Sequence, residues 1–252
     1  VKRLQKSKKL KRIIVATTTK KTDDKLVKFL KEKNILYYRG SENNVLKRYL
    51  FASKKFKINT VVRVTGDSPL VDPKIVDRFI SFYLKQKVDF VSEGPSPTFP
   101  DGIGVEIFSS EVLKKTITET NSKFDLEHVT PFAKRSKLFK KKYIHYTKDY
   151  SNLKLTLDNQ SDFEKIRIIV KYFWPNLYFS LNDLISLYKK KKKMFKLFNI
   201  KSIRDEGSIM NSGQKLWKRA LKIIPGGNML ISKRPDLYLP DLWPTYYKKA
   251  KG

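Results

Sequence analysis

The sequence predicts an α/β domain on a parallel-rich sheet, and three observations carry that expectation. From residue 12 to residue 91, β-branched runs of strand type alternate with amphipathic helical stripes. Two such runs, VVRVTGDSPLVDP at 61–73 and KLTLDNQSDFEKI at 154–166, end in an aspartate that the following helix does not need as a cap. Between residues 92 and 108 the alternation breaks, and 93–102 is too rich in proline and glycine for a regular element.

In order along the chain, residues 12–18 read as a strand and 22–33 as a helix with Leu26, Phe29 and Leu30 inward. A short strand at 35–38 leads into a helix at 43–56 with Val45, Tyr49, Ala52 and Phe56 on one stripe. A strand at 60–65, a helix at 73–86 and a strand at 88–91 complete the alternation. Repeated units of this kind imply right-handed crossovers and a parallel sheet covered on both faces. Residues 93–102 should loop over the sheet edge before a strand at 104–108, and His128 falls on a helix beginning near Ser122.

The two aspartates at strand ends are the first candidates for chemistry. Asp72 followed by Pro73 reads as an N-cap plus first helical residue, so Asp67 is left over. In the second run Ser161 and Glu164 read as a capping box, so Asp158 is likewise left over. In an open parallel sheet ligands bind beyond the carboxyl ends of the strands, where Thr65, Gly66 and Asp67 would sit. Two carboxylates there could share one hard cation, and magnesium is usually held by one or two carboxylates plus substrate phosphates. The plainer alternative is that each aspartate only closes a turn.

Six ordered segments, RIIVATTT, YYRGSENNVLKRY, VVRVTGDSPLVDP, TFPDGIGVEIF, DLEHVTPF and LTLDNQSDFE, resemble the spore coat polysaccharide biosynthesis protein F-like and acylneuraminate cytidylyltransferases over residues 10–175. The resemblance implies a Rossmann-like nucleotidyltransferase fold and transfer of CMP from CTP to a sugar or sugar acid, with magnesium and release of pyrophosphate. It puts Asp67 and Asp158 on the two metal-binding, catalytic positions. It makes Asp101, Gly102, Glu106 and His128 candidates for the acceptor. Arg39, Gly40, Ser41, Arg63, Thr65 and Gly66 become candidates for the nucleotide, although a simple turn and helix cap also explain Gly40 and Ser41. Such domains open with a first strand and a phosphate-binding loop. Here VKRLQKSKKLKRIIVATTT reads as the end of a first helix running into the second strand, so the expectation is a domain lacking that strand, inactive as this chain.

Composition narrows the partners. The net charge is +31, which is the ordinary footprint of nucleic-acid binding, and a basic, non-catalytic nucleic-acid-binding protein is the rival reading. Only 11 of the 55 basic residues are arginine, however, and the lysines scatter over every helix face instead of concentrating on one element. A codon bias towards lysine explains that pattern without a polyanion partner. With 0 cysteines there is neither a thiolate metal site nor a disulfide scaffold, and no apolar run is long enough to span a membrane. A cytoplasmic protein is expected. Its partners would be CTP and a sugar or sugar-acid acceptor, with a homodimer as the candidate assembly.

After Trp174-Pro175 the reading is a basic helical linker at 176–210, with a flexible joint near Asp205-Glu206-Gly207-Ser208. Residues 211–252 have a different character: Asn211 or Ser212 caps an amphipathic helix with Leu216, Trp217, Ala220 and Ile224, and Pro225-Gly226-Gly227 stops it. This stretch resembles the amino-terminal arm of class III aminotransferases of the glutamate-1-semialdehyde aminomutase type, which implies a fusion. Pyridoxal phosphate would then belong to an aminotransferase domain beyond this chain. The tail is expected to be a short helix followed by extended chain.

Overall fold

The computed structural model describes residues 1–192 and Phe195. The chain divides into two units, Val1–Asn199 and Ile200–Gly252, and the account below is of the first. The expected joint at 204–213 and the aminotransferase-like arm at 211–252 lie outside the described residues.

The first unit has the α/β architecture that the alternation implies. Strand β1 (Ile14–Thr18) pairs in parallel with β2 (Leu36–Gly40), and helix α1 (Asp24–Glu32) connects them. Helix α2 (Val45–Lys55) then leads to β3 (Thr60–Arg63), and α3 (Pro73–Lys85) to β4 (Phe90–Ser92). Strand β5 (Glu106–Ser109) is followed by α4 (Ser110–Glu119), α5 (Lys123–His128), α6 (Pro131–Arg135), β6 (Lys141–Tyr143), α7 (Gln160–Phe173) and α8 (Leu181–Lys190).

The four-stranded sheet has the order β3-β5-β4-β6. Strands β3, β4 and β6 share one direction, while β5 runs antiparallel between β3 and β4. An alternating strand–helix pattern does not announce such a reversal, because direction leaves no trace in side-chain period. The period does show in the packing. Val91 and Ile107 enter the core under α3, α7 and α8, while Phe90 and Phe108 enter the other, against α2 and α4. The phenyl rings of Phe90 and Phe108 stack at 5.8 Å. The sheet is therefore covered on both faces, as expected.

Several local expectations need correction. In α1 the buried residues are Val27 and Leu30, whereas Leu26 and Phe29 are exposed. Leu30 is inward as expected, and Val27 joins it in place of Leu26 and Phe29. Strand β2 runs on through Arg39 and Gly40, which end the strand instead of following it. Helices α1 and α2 each stop before a left-handed residue, Asn34 (φ 51°) and Lys57 (φ 52°). The segment read as the end of a helix is a single 3-10 turn at Leu4–Lys6. It is fastened by Arg3, whose guanidinium donates to the carbonyls of Leu70, Val71, Leu177 and Phe179 and lies over the Phe179 ring at 4.4 Å.

The region read as a linker also begins inside the domain. Leu181, Leu184, Ile185 and Leu187 of α8 are buried in the core shared with α3 and α7, and Phe179 joins them. A capping box closes α8: Ser180 accepts from Asp183 N–H, and Asp183 accepts from Ser180 N–H. The core thus continues past residue 175, and the basic run Lys189–Lys192 is the solvated end of a packed helix. No helix among the described residues is long and apolar enough to cross a membrane.

Candidate active site

Asp72 caps α3 as expected: its carboxylate accepts from Lys74 N–H at 2.8 Å, and the other oxygen accepts from Leu181 N–H at 2.7 Å. Asp67 is therefore released from capping, in an exposed turn beyond β3. That turn is closed by Thr65 and Ser68, whose hydroxyls meet at 2.9 Å. The second helix start differs from the expected one. Its N-cap is Asn159, which accepts from Asp162 N–H at 3.0 Å, and Ser161 and Glu164 form no capping box. Asp158 remains free of capping for this different reason.

One backbone bond joins the two segments that carry these aspartates. Leu157 N–H donates to the Asp67 carbonyl at 2.7 Å, which sets residues 67 and 158 on adjoining segments. The segment 153–157 is clamped from the other side by the proline-rich loop. Asp101 N–H donates to Leu153, and Leu155 N–H returns to Asp101, at 3.0 and 2.9 Å. The Thr156 hydroxyl then lies between two carboxylates, 3.0 Å from Asp158 and 3.3 Å from Asp101. The structure therefore links Asp101, Gly102 and Asp158 through Thr156, which sequence reasoning did not single out, and ties that segment to the Thr65-Gly66-Asp67 turn through the Leu157 backbone.

Gly102 holds that clamp closed. Its φ is +87°, and a Cβ there would stand 3.0 Å from Thr156 N, a backbone atom that cannot swing away. Gly102→Ala should therefore cost about 1–3 kcal/mol of stability in urea denaturation, because both the dihedral and the contact are strained. A variant as stable as the parent would show that the loop is not clamped here.

Asp158 is the more constrained of the pair. Its Oδ2 is 2.8 Å from Lys154 Nζ, which is also 2.6 Å from Asp162 Oδ2. Asp162 in turn accepts Asp158 N–H at 3.1 Å and Lys165 Nζ at 3.2 Å. Burial opposes the charge of Asp158, but the bonds from Lys154 and Thr156 outweigh it and hold its pKa below the usual carboxylate range. Hard oxygen donors of this kind suit magnesium. Among the described residues no third histidine or carboxylate joins such a group, so the ion's other ligands would be phosphate oxygens and water. On donor chemistry the pair fits.

Arg63 and Glu106 are already engaged with each other. Glu106 Oε2 is 2.8 Å from Arg63 Nη1, its Oε1 is 2.6 Å from Lys134 Nζ, and Thr130 Oγ1 donates to the same carboxylate. Burial opposes the Arg63 charge, yet Glu106, Tyr49 and Asp67 outweigh it and raise its pKa. Thr130 reaches Glu106 through an unusual turn. Thr130 N–H donates to the His128 carbonyl at 2.9 Å across Val129, a buried β-branched residue at φ 74°. His128 itself is exposed at the end of α5, its ring 4.5 Å from that of Phe124.

Arg39, Gly40 and Ser41 gather elsewhere. Arg39 donates to the carbonyls of Thr18 and Lys20 at 2.8 and 2.7 Å and pairs with Asp24 at 2.7 Å. Ser41 Oγ accepts from Asn44 N–H at 3.0 Å, and Gly40 lets the Arg48 side chain approach. These three residues are tied to 18–24 and 44–48, not to the Asp67 turn.

Glu93 belongs to no motif, yet it stands in the loop beside the acceptor candidates. Gly104 makes room for it: a Cβ there would be 1.1 Å from Glu93 Oε1. Burial, then the nearby charge of Asp101, push its pKa from 4.5 up to about 7, with Lys134 opposing and Glu106 reinforcing the rise. A carboxyl with a raised folded pKa supports folding fully below its unfolded pKa. That support is lost as pH rises through about 7. Glu93→Gln should therefore match the parent's stability near pH 4.5 and exceed it by ~3 kcal/mol above pH 7, read by denaturation across pH. A difference that does not vary with pH would remove the burial argument.

Known proteins share the sequence pattern and the fold. A family model described as cytidylyltransferase matches residues 1–202. An uncharacterised protein of Methanocaldococcus jannaschii is 37% identical over 175 residues, covering 68% of this chain and 70% of that protein. The spore coat polysaccharide biosynthesis protein SpsF of Bacillus subtilis is 26% identical over 183 residues, covering 71% of this chain and 75% of that protein. Among solved structures, a cytidylyltransferase from Leptospira borgpetersenii serovar Hardjo-bovis superposes with a TM-score of 0.74 at 31% identity. That match covers 80% of this chain and 84% of the other.

Proposed function

Because this chain belongs to the cytidylyltransferase family, we propose that it transfers CMP from CTP to a sugar or sugar-acid hydroxyl for surface polysaccharide or glycoconjugate synthesis. The observation that supports this reading is the Leu157–Asp67 backbone bond, which joins the segment carrying Asp158 to the Asp67 turn beyond β3. In the reaction the acceptor oxygen forms a bond to the α-phosphorus of CTP, the bond to the pyrophosphate oxygen breaks, and the acceptor proton leaves to solvent or a neighbouring base. Magnesium bound by Asp67 and Asp158 would offset negative charge on the phosphates.

The chain's own residues do the positioning. Thr156 holds the Asp101 and Asp158 carboxylates around one hydroxyl, and Gly102 lets the Asp101 loop pack against the Thr156 backbone. Arg63, locked by Glu106, sets a fixed positive charge behind the Asp67 turn. The mention of polysaccharide in the name of SpsF supports a sugar acceptor. The aminotransferase-like tail would suit the same purpose, since an aminotransferase can place an amine on a ketosugar before activation.

The test is nucleotide selectivity in the intact gene product. Pyrophosphate release with a panel of sugar acids and ketosugars should require CTP, with ATP, GTP and UTP at least about tenfold slower, a ratio equal to ~1.4 kcal/mol. Equal rates with all four nucleotides would refute the CTP assignment.

A further inference from the structure

Two lysines and two aspartates form a sealed charge network behind the site. Asp162 is 1% exposed and Lys165 0%, while the Lys154 side chain is 9% exposed and that of Asp158 12%. The network contains two positive and two negative groups and so carries no net charge. Lys154 Nζ sits between Asp158 Oδ2 and Asp162 Oδ2 at 2.8 and 2.6 Å, closer to the more deeply buried carboxylate. Asp162 also fixes the main chain at Asp158 by accepting its N–H. An ammonium placed directly on a metal-binding carboxylate competes with the metal for the same oxygen. Sharing that ammonium with a second, buried carboxylate weakens the competition.

We propose that Asp162 is a positioning residue that draws the Lys154 ammonium away from Asp158, so that Asp158 keeps enough negative charge to bind a divalent cation. This rests on the assignment of Asp158 to a metal, and on nothing about CTP or the acceptor. If Asp162 were neutral, the whole Lys154 charge would settle on Asp158. The cation site would then weaken while the fold of the loop stayed intact, because asparagine still accepts the bond from Asp158 N–H. Lys165 would remain as a buried amine, whose protonated form burial already disfavours.

The experiment is a Mn2+ titration of the intact gene product, read by the loss of the free-ion electron paramagnetic resonance signal, with Mn2+ alone and again with CTP present. Asp162→Asn should weaken Mn2+ binding about tenfold, the scale seen when outer partners of metal ligands are removed. The double variant Asp162→Asn/Lys154→Met, which removes the competing ammonium, should bind within about threefold of the parent. Lys154→Met alone should bind at least as tightly as the parent. A purely structural Asp162 would leave the double variant no better than the single one, and that result overturns the proposal. If Asp162→Asn does not fold, Lys154→Met decides: a tenfold loss there would mean that Lys154 supports the metal site and does not compete with it. Parent protein that binds Mn2+ but turns over no CTP would leave this inference standing and sink the functional one instead.

Discussion

Asp67→Asn and Asp158→Asn should each remove several kcal/mol of transition-state stabilisation from CMP transfer in the intact gene product, a loss of on the order of a thousandfold in kcat/KM. The two variants should differ in stability. The Asp67 carboxylate lies in an exposed turn, and the tie to Leu157 uses its backbone carbonyl, which asparagine keeps. Thermal unfolding of Asp67→Asn should therefore stay close to that of the parent. Asp158→Asn gives up a nearly buried ion pair with Lys154 and should lose stability as well as turnover. Turnover within about threefold of the parent in both variants would remove these aspartates from the chemistry.

Asp162→Ala should carry a folding penalty of about 3–5 kcal/mol. The carboxylate is shared by Lys154 and Lys165 at 2.6 and 3.2 Å. Truncation to a methyl group takes the hydrogen-bonded carboxylate from Lys165 and leaves Lys154 with Asp158 alone as its ion-pair partner, and it leaves Asp158 N–H without its acceptor. Burial opposes the negative form of Asp162, yet the bonds from Lys154, the Asp158 amide and Lys165 hold its pKa below the usual range. Its contribution is therefore present above the unfolded carboxylate pKa and is lost as pH falls through the lower, folded one. Urea denaturation at neutral pH measures the effect. A loss under about 1 kcal/mol would mean that the lysines find other partners or water.

How much of this was legible in the sequence depends on whether the signal was local. The Asp72-Pro73 cap follows from two adjacent residue types, and the structure has it in place. The release of Asp158 was also legible, but through the wrong residue: Asn159, Ser161 and Glu164 offer overlapping capping patterns, and only the backbone decides between them. In α1 the stripes through Leu26, Phe29 and Leu30 and through Val27 and Leu30 share Leu30 and lie side by side, and residue type alone does not choose between them. The reversal of β5 and the membership of α8 in the core are matters of topology, which local period does not encode. Thr156, Lys154 and Glu93 escaped notice for the same reason. Their roles come from the parallel bridge between Asp101 and Lys154 and from the space over Gly104, contacts between segments far apart in the chain.

The most direct measurement is phosphorus-31 nuclear magnetic resonance of the intact gene product with CTP, magnesium and a sugar-acid acceptor. The account predicts that pyrophosphate and a new CMP phosphodiester appear together in equal amounts, and that neither appears without the acceptor. Conversion of CTP to CDP and inorganic phosphate, or to free CMP at a rate indifferent to the acceptor, would contradict it.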